Sequence, residues 1–107
     1  MSFNDVENRE WKELLTGVRI RSFWGEQMLV IHVELDEGAV VPRHSHFHEQ
    51  GGTLIVGKAE FKIGDETRIV QPGDSYIIPG GVEHEVVALQ PCRLFEIFSP
   101  VRESYKY

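Results

Sequence analysis

The sequence predicts an all-β chain folded as a single small antiparallel jelly-roll barrel, and three observations carry that expectation. Short runs of alternating apolar and polar residues recur along the chain, and Gly, Pro and Asp separate them. The length of 107 residues suffices for one core and is too short for a barrel plus a second module. So many short strands in so small a chain suggest a closed or nearly closed antiparallel barrel or jelly roll.

The elements follow in order. Residues 1–27 read as an N-terminal arm or strands, in which Val6, Trp11, Leu14 and Leu15 would also suit one face of a short helix begun at Asn4 or Asp5. Residues 28–99 read as the barrel core. Strands are expected over 28–35, 53–56, 59–63, 67–70, 75–78, 84–89 and 93–99, broken at Gly38, Gly57, Gly64-Asp65, Pro72-Gly73, Gly80-Gly81 and Pro91. Residues 100–107 form a tail. In the first core strand, His32 falls on the face opposite Leu29, Ile31, Val33 and Leu35, which makes it a partly buried polar position without catalytic duty. No internal repeat, linker or low-complexity segment interrupts the series.

Composition excludes several function classes. A formal charge of −6 argues against nucleic acid or an anionic membrane as partner, because a phosphate-tracking surface needs a basic excess. No apolar run approaches a membrane span, and the polar start from Ser2 to Lys12 lacks the core of a signal peptide. Cys92 is the single cysteine and can form no internal disulfide, which suits a reducing cytoplasm.

The chemistry is concentrated in two glycine-bounded motifs. The first runs from Gly38 through His44, His46 and Gln50 to Gly57, and the second from Gly73 through Pro79, Gly80 and Gly81 to His84. On a strand, His44 and His46 point to the same face, where two imidazoles can chelate one ion. A His-x-His pair alone is as readily surface decoration; Gln50, His84 and the spaced glycines shift the reading to a metal site. A straight strand would carry Gln50 roughly 13 Å beyond His46, so the chain must turn or bulge between residues 47 and 49 for both to reach one ion. His84 must arrive from a separate strand, after a sharp reversal at Pro79-Gly80-Gly81.

This arrangement resembles the two-motif pattern of the cupin superfamily. Three stretches narrow the resemblance: His44-Ser45-His46-Phe47-His48-Glu49-Gln50, the closing Phe98-Ser99-Pro100-Val101-Arg102-Glu103, and Trp11 followed by Gly17-Val18-Arg19. They are similar to the small single-domain pectin-degradation cupins, which open the ring of 4,5-unsaturated uronates to linear keto sugar acids. The resemblance implies one divalent transition metal (nickel, zinc, iron, manganese or cobalt) on His44, His46, Gln50 and His84, and an anionic sugar acid as substrate. The general superfamily pattern carries Glu where Gln50 stands, whereas the uronate cupins also carry Gln. Those enzymes have Asp where this chain has Glu96 and proline where it has Phe47, and Gly51-Gly52 here replaces bulkier strand residues.

Gln50 has a chemical consequence. Three histidines and a carboxylate leave a divalent ion with a charge near +1, but three histidines and a neutral amide leave it near +2, a stronger Lewis acid. An amide accepts no proton, so the acid–base group must lie elsewhere. Glu96, within Leu94-Phe95-Glu96-Ile97-Phe98, is the candidate, with an outward-facing position on the barrel as its alternative. Arg102 is expected to grip a substrate carboxylate, its alternative being a tail residue paired with Glu103. Phe98 would wall the sugar ring and His48 would sit at the pocket rim. Trp24, Tyr76, Tyr105 and Tyr107 could shape the mouth, and spacing selects none of them. Uronate ring opening leads; a metal-dependent dioxygenase on the same ligands and a non-catalytic ligand-binding barrel are the alternatives. A homodimer is expected, in which exposed strand edges are covered by exchange of N-terminal strands.

Overall fold

Alternation of side chains between a wet and a dry face organises this chain from Val18 onward. The computed structural model describes residues 2–107. Within them the strands are β1 Lys12–Leu15, β2 Val18–Trp24, β3 Leu29–Leu35, β4 Val40–His44, β5 Glu49–Val56, β6 Ala59–Ile63, β7 Glu66–Val70, β8 Ser75–Ile78, β9 His84–Ala88 and β10 Cys92–Ser99, followed by a 3-10 turn at Glu103–Tyr105. They form two antiparallel sheets, ordered β1-β2-β3-β10-β5-β8 and β4-β9-β6-β7, in an all-β jelly roll.

The two central strands of the larger sheet show how the core is made. β3 buries Leu29, Ile31, Val33 and Leu35 and turns Val30, His32 and Glu34 outward; β10 likewise buries Cys92, Leu94, Glu96 and Phe98. The aliphatic members join Val18, Ile20, Leu54, Phe61 and Val86 in one cluster between the sheets. Each fully buried side chain of this kind contributes about 1.5–3 kcal/mol. His32 lies outside that cluster, with its ring edge-on to Phe23 and Phe95 at centroid distances of 6.3 and 5.0 Å.

The N-terminal helix does not form. Residues 7–9 make a turn, with the Arg9 N–H donating to the Val6 carbonyl at 3.2 Å, and Leu14 and Leu15 belong to β1. The competing pull is pairing: β2 offers a strand edge, Gly17 at φ 76° makes the turn, and Leu14 packs on the core while Leu15 faces solvent. Trp11 lies under the Arg21 guanidinium at 4.0 Å, and Arg21 Nε donates to the Arg9 carbonyl at 2.6 Å, which ties down the arm.

Two further strands exceed the expected pattern. β4 contains Pro42, tolerated because the strand lies at a sheet edge and its register with β9 shifts between Val41 and His44. β5 begins at Glu49, four residues before the expected start at Thr53. Gly51 and Gly52 disfavour a strand locally, but ladders to β10 on one side and β8 on the other hold them in it.

Candidate metal centre

The bend demanded by the spacing of the first motif is present. β4 ends at His44, residues 45–48 leave the sheet, and β5 starts at Glu49, so Gln50 returns to His46 instead of running away from it. His46 therefore lies in the bend, not on a strand beside His44. Opposite, the Gly81 N–H donates to the His46 carbonyl at 2.8 Å, and a side chain at Gly80 would overlap the Phe47 carbonyl oxygen. The glycine pair thus lets the β8–β9 turn seat against the bend. β9 opens at once with His84, register partner of His44.

The ligating atoms of His44, His46 and His84 lie within 4.8 Å of one another. Each ring is oriented by its Nδ1, which meets a main-chain carbonyl: Pro42 for His44 at 2.8 Å, His48 for His46 at 3.1 Å and Val82 for His84 at 2.9 Å. A carbonyl has no proton to give, so Nδ1 donates in all three and the Nε2 lone pairs are left for a cation. His84 Nε2 is buried and has no hydrogen-bond partner.

The fourth group shows the same preference. His46 Nε2 stands 3.0 Å from Gln50 Oε1, and Gln50 Nε2 donates to Glu96 Oε2 at 2.9 Å. Because Glu96 takes the amide N–H, the amide oxygen must be the atom turned to the histidines. Burial, aided by the Arg102 charge, pushes His46 down to about 4, so its ring is neutral at pH 7. Two lone pairs then face each other at 3.0 Å, an arrangement that a cation between them relieves. Burial also lowers His84. This donor set fits a divalent transition metal, and three imidazoles with one amide leave its charge intact.

A cavity of about 420 Å³ opens beside these groups, within the range of small-molecule sites. Its wall is mostly aliphatic, and its polar part includes His44, Gln50, His84, Glu96 and Arg102, with Arg43, Phe98 and Tyr105 also in the lining. Glu96 is 8% exposed and points inward, and burial raises its carboxyl above the usual range. Its Oε2 accepts from both Gln50 and the Tyr76 hydroxyl, the latter at 2.5 Å. Arg102 is half-buried, 3.8 Å over the Tyr105 ring and 5.2 Å from that of Phe98. Glu103, its alternative partner, pairs with Lys106 at 3.0 Å.

Not every expected residue reaches the cavity. His48 is buried, stacked on Phe47 at 3.9 Å and edge-on to His46 at 5.5 Å, and it is not part of the lining. Of the four aromatics proposed for the mouth, Tyr105 lines the cavity, Trp24 and Tyr107 are exposed elsewhere, and Tyr76 lies against Phe61 at 4.4 Å. The hydrogen bond from Tyr76 to Glu96 escapes sequence reasoning because it follows from strand register.

The cupin domain profile matches residues 31–98, well over half the chain. The chain belongs to the cupin family. Among solved structures this cupin is similar to KdgF from Halomonas sp., with 29% identity and a TM-score of 0.91 over 97% of each chain. An RmlC-like cupin from Shewanella frigidimarina aligns at a TM-score of 0.93 with 24% identity, over 98% of this chain and 96% of the other. A single-site variant of oxalate decarboxylase from Bacillus subtilis shares the fold at a TM-score of 0.79 and 21% identity, over 89% of this cupin and 28% of the larger chain. No curated protein matches the sequence.

Proposed function

We propose that this cupin opens the ring of 4,5-unsaturated uronates to linear keto sugar acids. The observation that carries the reading is a buried carboxylate, Glu96, facing the same cavity as the histidine–glutamine cluster and Arg102. The sequence resemblance to pectin-degradation cupins and the full-length similarity to KdgF support it.

A divalent metal on His44, His46, Gln50 and His84 would supply Lewis-acid stabilisation of negative charge on substrate oxygen. Arg102 grips the substrate carboxylate, giving an acidic protein the local positive charge it needs. Phe98 packs against the ring. Glu96 takes the proton of the anomeric hydroxyl as the bond from that carbon to the ring oxygen breaks, leaving an aldehyde and an enolate, and then returns that proton to the ring oxygen to give the enol. Proton transfer to the enol carbon then gives the ketone. Nothing is oxidised or reduced, and substrate and product have the same mass.

The test is to give metal-loaded protein the unsaturated products of a pectate or alginate lyase. Loss of the conjugated carbon–carbon ultraviolet band, at constant mass and without oxygen uptake, is expected. Oxygen consumption would favour the dioxygenase reading instead, and tight binding without turnover the non-catalytic one. Elemental analysis of the purified protein identifies the metal. The proposal includes a homodimer working in the cytoplasm: β1, β4, β7 and β8 each leave one edge unpaired, and a twin can cover them. A monomeric mass by light scattering at micromolar concentration contradicts that part.

A further inference from the structure

We infer that Tyr76 is a positioning residue for Glu96, and that Gly52 is the gap through which it reaches. This rests on the reading of Glu96 as proton carrier. Glu96, Gly52 and Tyr76 are successive register partners across β10, β5 and β8, so they form one row on a single sheet face. A side chain on the middle strand would separate the outer two. With glycine there, the Tyr76 hydroxyl crosses the row and donates to Glu96 Oε2 at 2.5 Å. A Cβ at position 52 would lie 2.6 Å from that hydroxyl and 2.8 Å from Glu96 Cγ, so the arrangement depends on its absence. Phe61 fixes the ring from the other side at 4.4 Å.

The consequence is an asymmetric carboxylate. Gln50 and Tyr76 both donate to Oε2, and neither donates to Oε1. One oxygen is thereby anchored by two donors, and the other is the one available to a substrate proton. Tyr76 is not part of the cavity lining, so its influence on a reaction passes through Glu96. The uronate cupins that the sequence resembles carry the shorter Asp here and bulkier residues at 51–52.

Tyr76→Phe tests the inference in metal-loaded protein and in metal-free protein. With a uronate substrate, kcat is expected to fall about tenfold, the effect of one hydrogen bond to a charged reacting group, with KM within about twofold and metal content unchanged. Unchanged kcat overturns the inference. In metal-free protein, Tyr76→Phe should lower the melting temperature by about 5 °C, and by far less in the Glu96→Leu background, because the lost contact is shared. Equal losses in both backgrounds overturn the inference while leaving ring opening intact. Coupled losses in a protein that turns over no uronate do the reverse. Gly52→Ala is the second route, expected to reduce kcat at least as far as Tyr76→Phe; wild-type turnover in Gly52→Ala also overturns the inference.

Discussion

The side-chain amide of Gln50 gives its N–H to Glu96 at 2.9 Å and turns its oxygen to His46 at 3.0 Å. The two residues define each other. Glu96 sets which end of the amide faces the histidines, and Gln50 supplies one of the donors that make a buried carboxylate tolerable. A carboxylate at position 50 would instead face a second one across the same gap, where both could not be ionised. A neutral amide at position 50 and an acid at 96 are therefore a matched pair.

Glu96→Gln keeps the shape and removes the titrating group. Metal content should stay near wild type while kcat falls by about 10²–10⁴, the usual contribution of a general acid–base. Glu96→Asp should retain partial activity. Wild-type turnover in metal-replete Glu96→Gln would take Glu96 out of the mechanism.

His46→Ala removes the ring on which Gln50 and His84 converge. Metal occupancy should drop sharply, and added metal should no longer raise the melting temperature, because binding to the folded state alone is what links the two. Full occupancy in the His44→Ala/His46→Ala protein, read by elemental analysis, would end the metal hypothesis.

Gly80→Ala acts from outside the ligand set. Its Cβ would overlap the Phe47 carbonyl oxygen, and backbone cannot swing aside as a side-chain tip can. The variant should lose about 1–3 kcal/mol in denaturant titration and bind metal more weakly, since the bend that holds His46 must shift. Unaltered metal affinity would show that the bend does not depend on this seat.

Acid should destabilise the metal-free protein through its histidines. The folded pKa of His46 is about 4 against 6.5 in the unfolded chain, so between those values the unfolded state binds more protons and stability falls as pH falls. Glu96 works in the opposite sense. Its folded pKa is raised, so its contribution is present below the unfolded value and is lost as pH rises through the folded one. Melting temperatures of metal-free Glu96→Gln should therefore decline from about pH 6.5 to about pH 4 more steeply than those of wild type. A flat profile would contradict the buried, neutral state of His46.

The sequence made the three-histidine cluster and the inward face of β10 readable because both rest on short-range regularities. Histidines two apart, a glycine pair before His84 and the alternation of Leu94, Glu96 and Phe98 are each visible within a short stretch of chain. What escaped was set by partners far along the chain. Leu14 and Leu15 fit a helical face as well as a strand until β2 is seen beside them. Gly51 and Gly52 look like breakers until β8 and β10 flank them, and Tyr76 meets Glu96 only through that register. His48 shares the parity of His46, but parity holds only on a straight strand, and the chain bends between them.

The origin of the four candidate ligands has a mechanical meaning. His44 and His84 stand on the four-stranded sheet, Gln50 on the six-stranded sheet, and His46 in the bend that joins β4 to β5. An ion bound by all four is a rivet through both layers at one end of the barrel. Its departure would free the layers to breathe at that end, so hydrogen exchange at residues 45–48 and 79–83 should report metal release before any loss of strands in the centre.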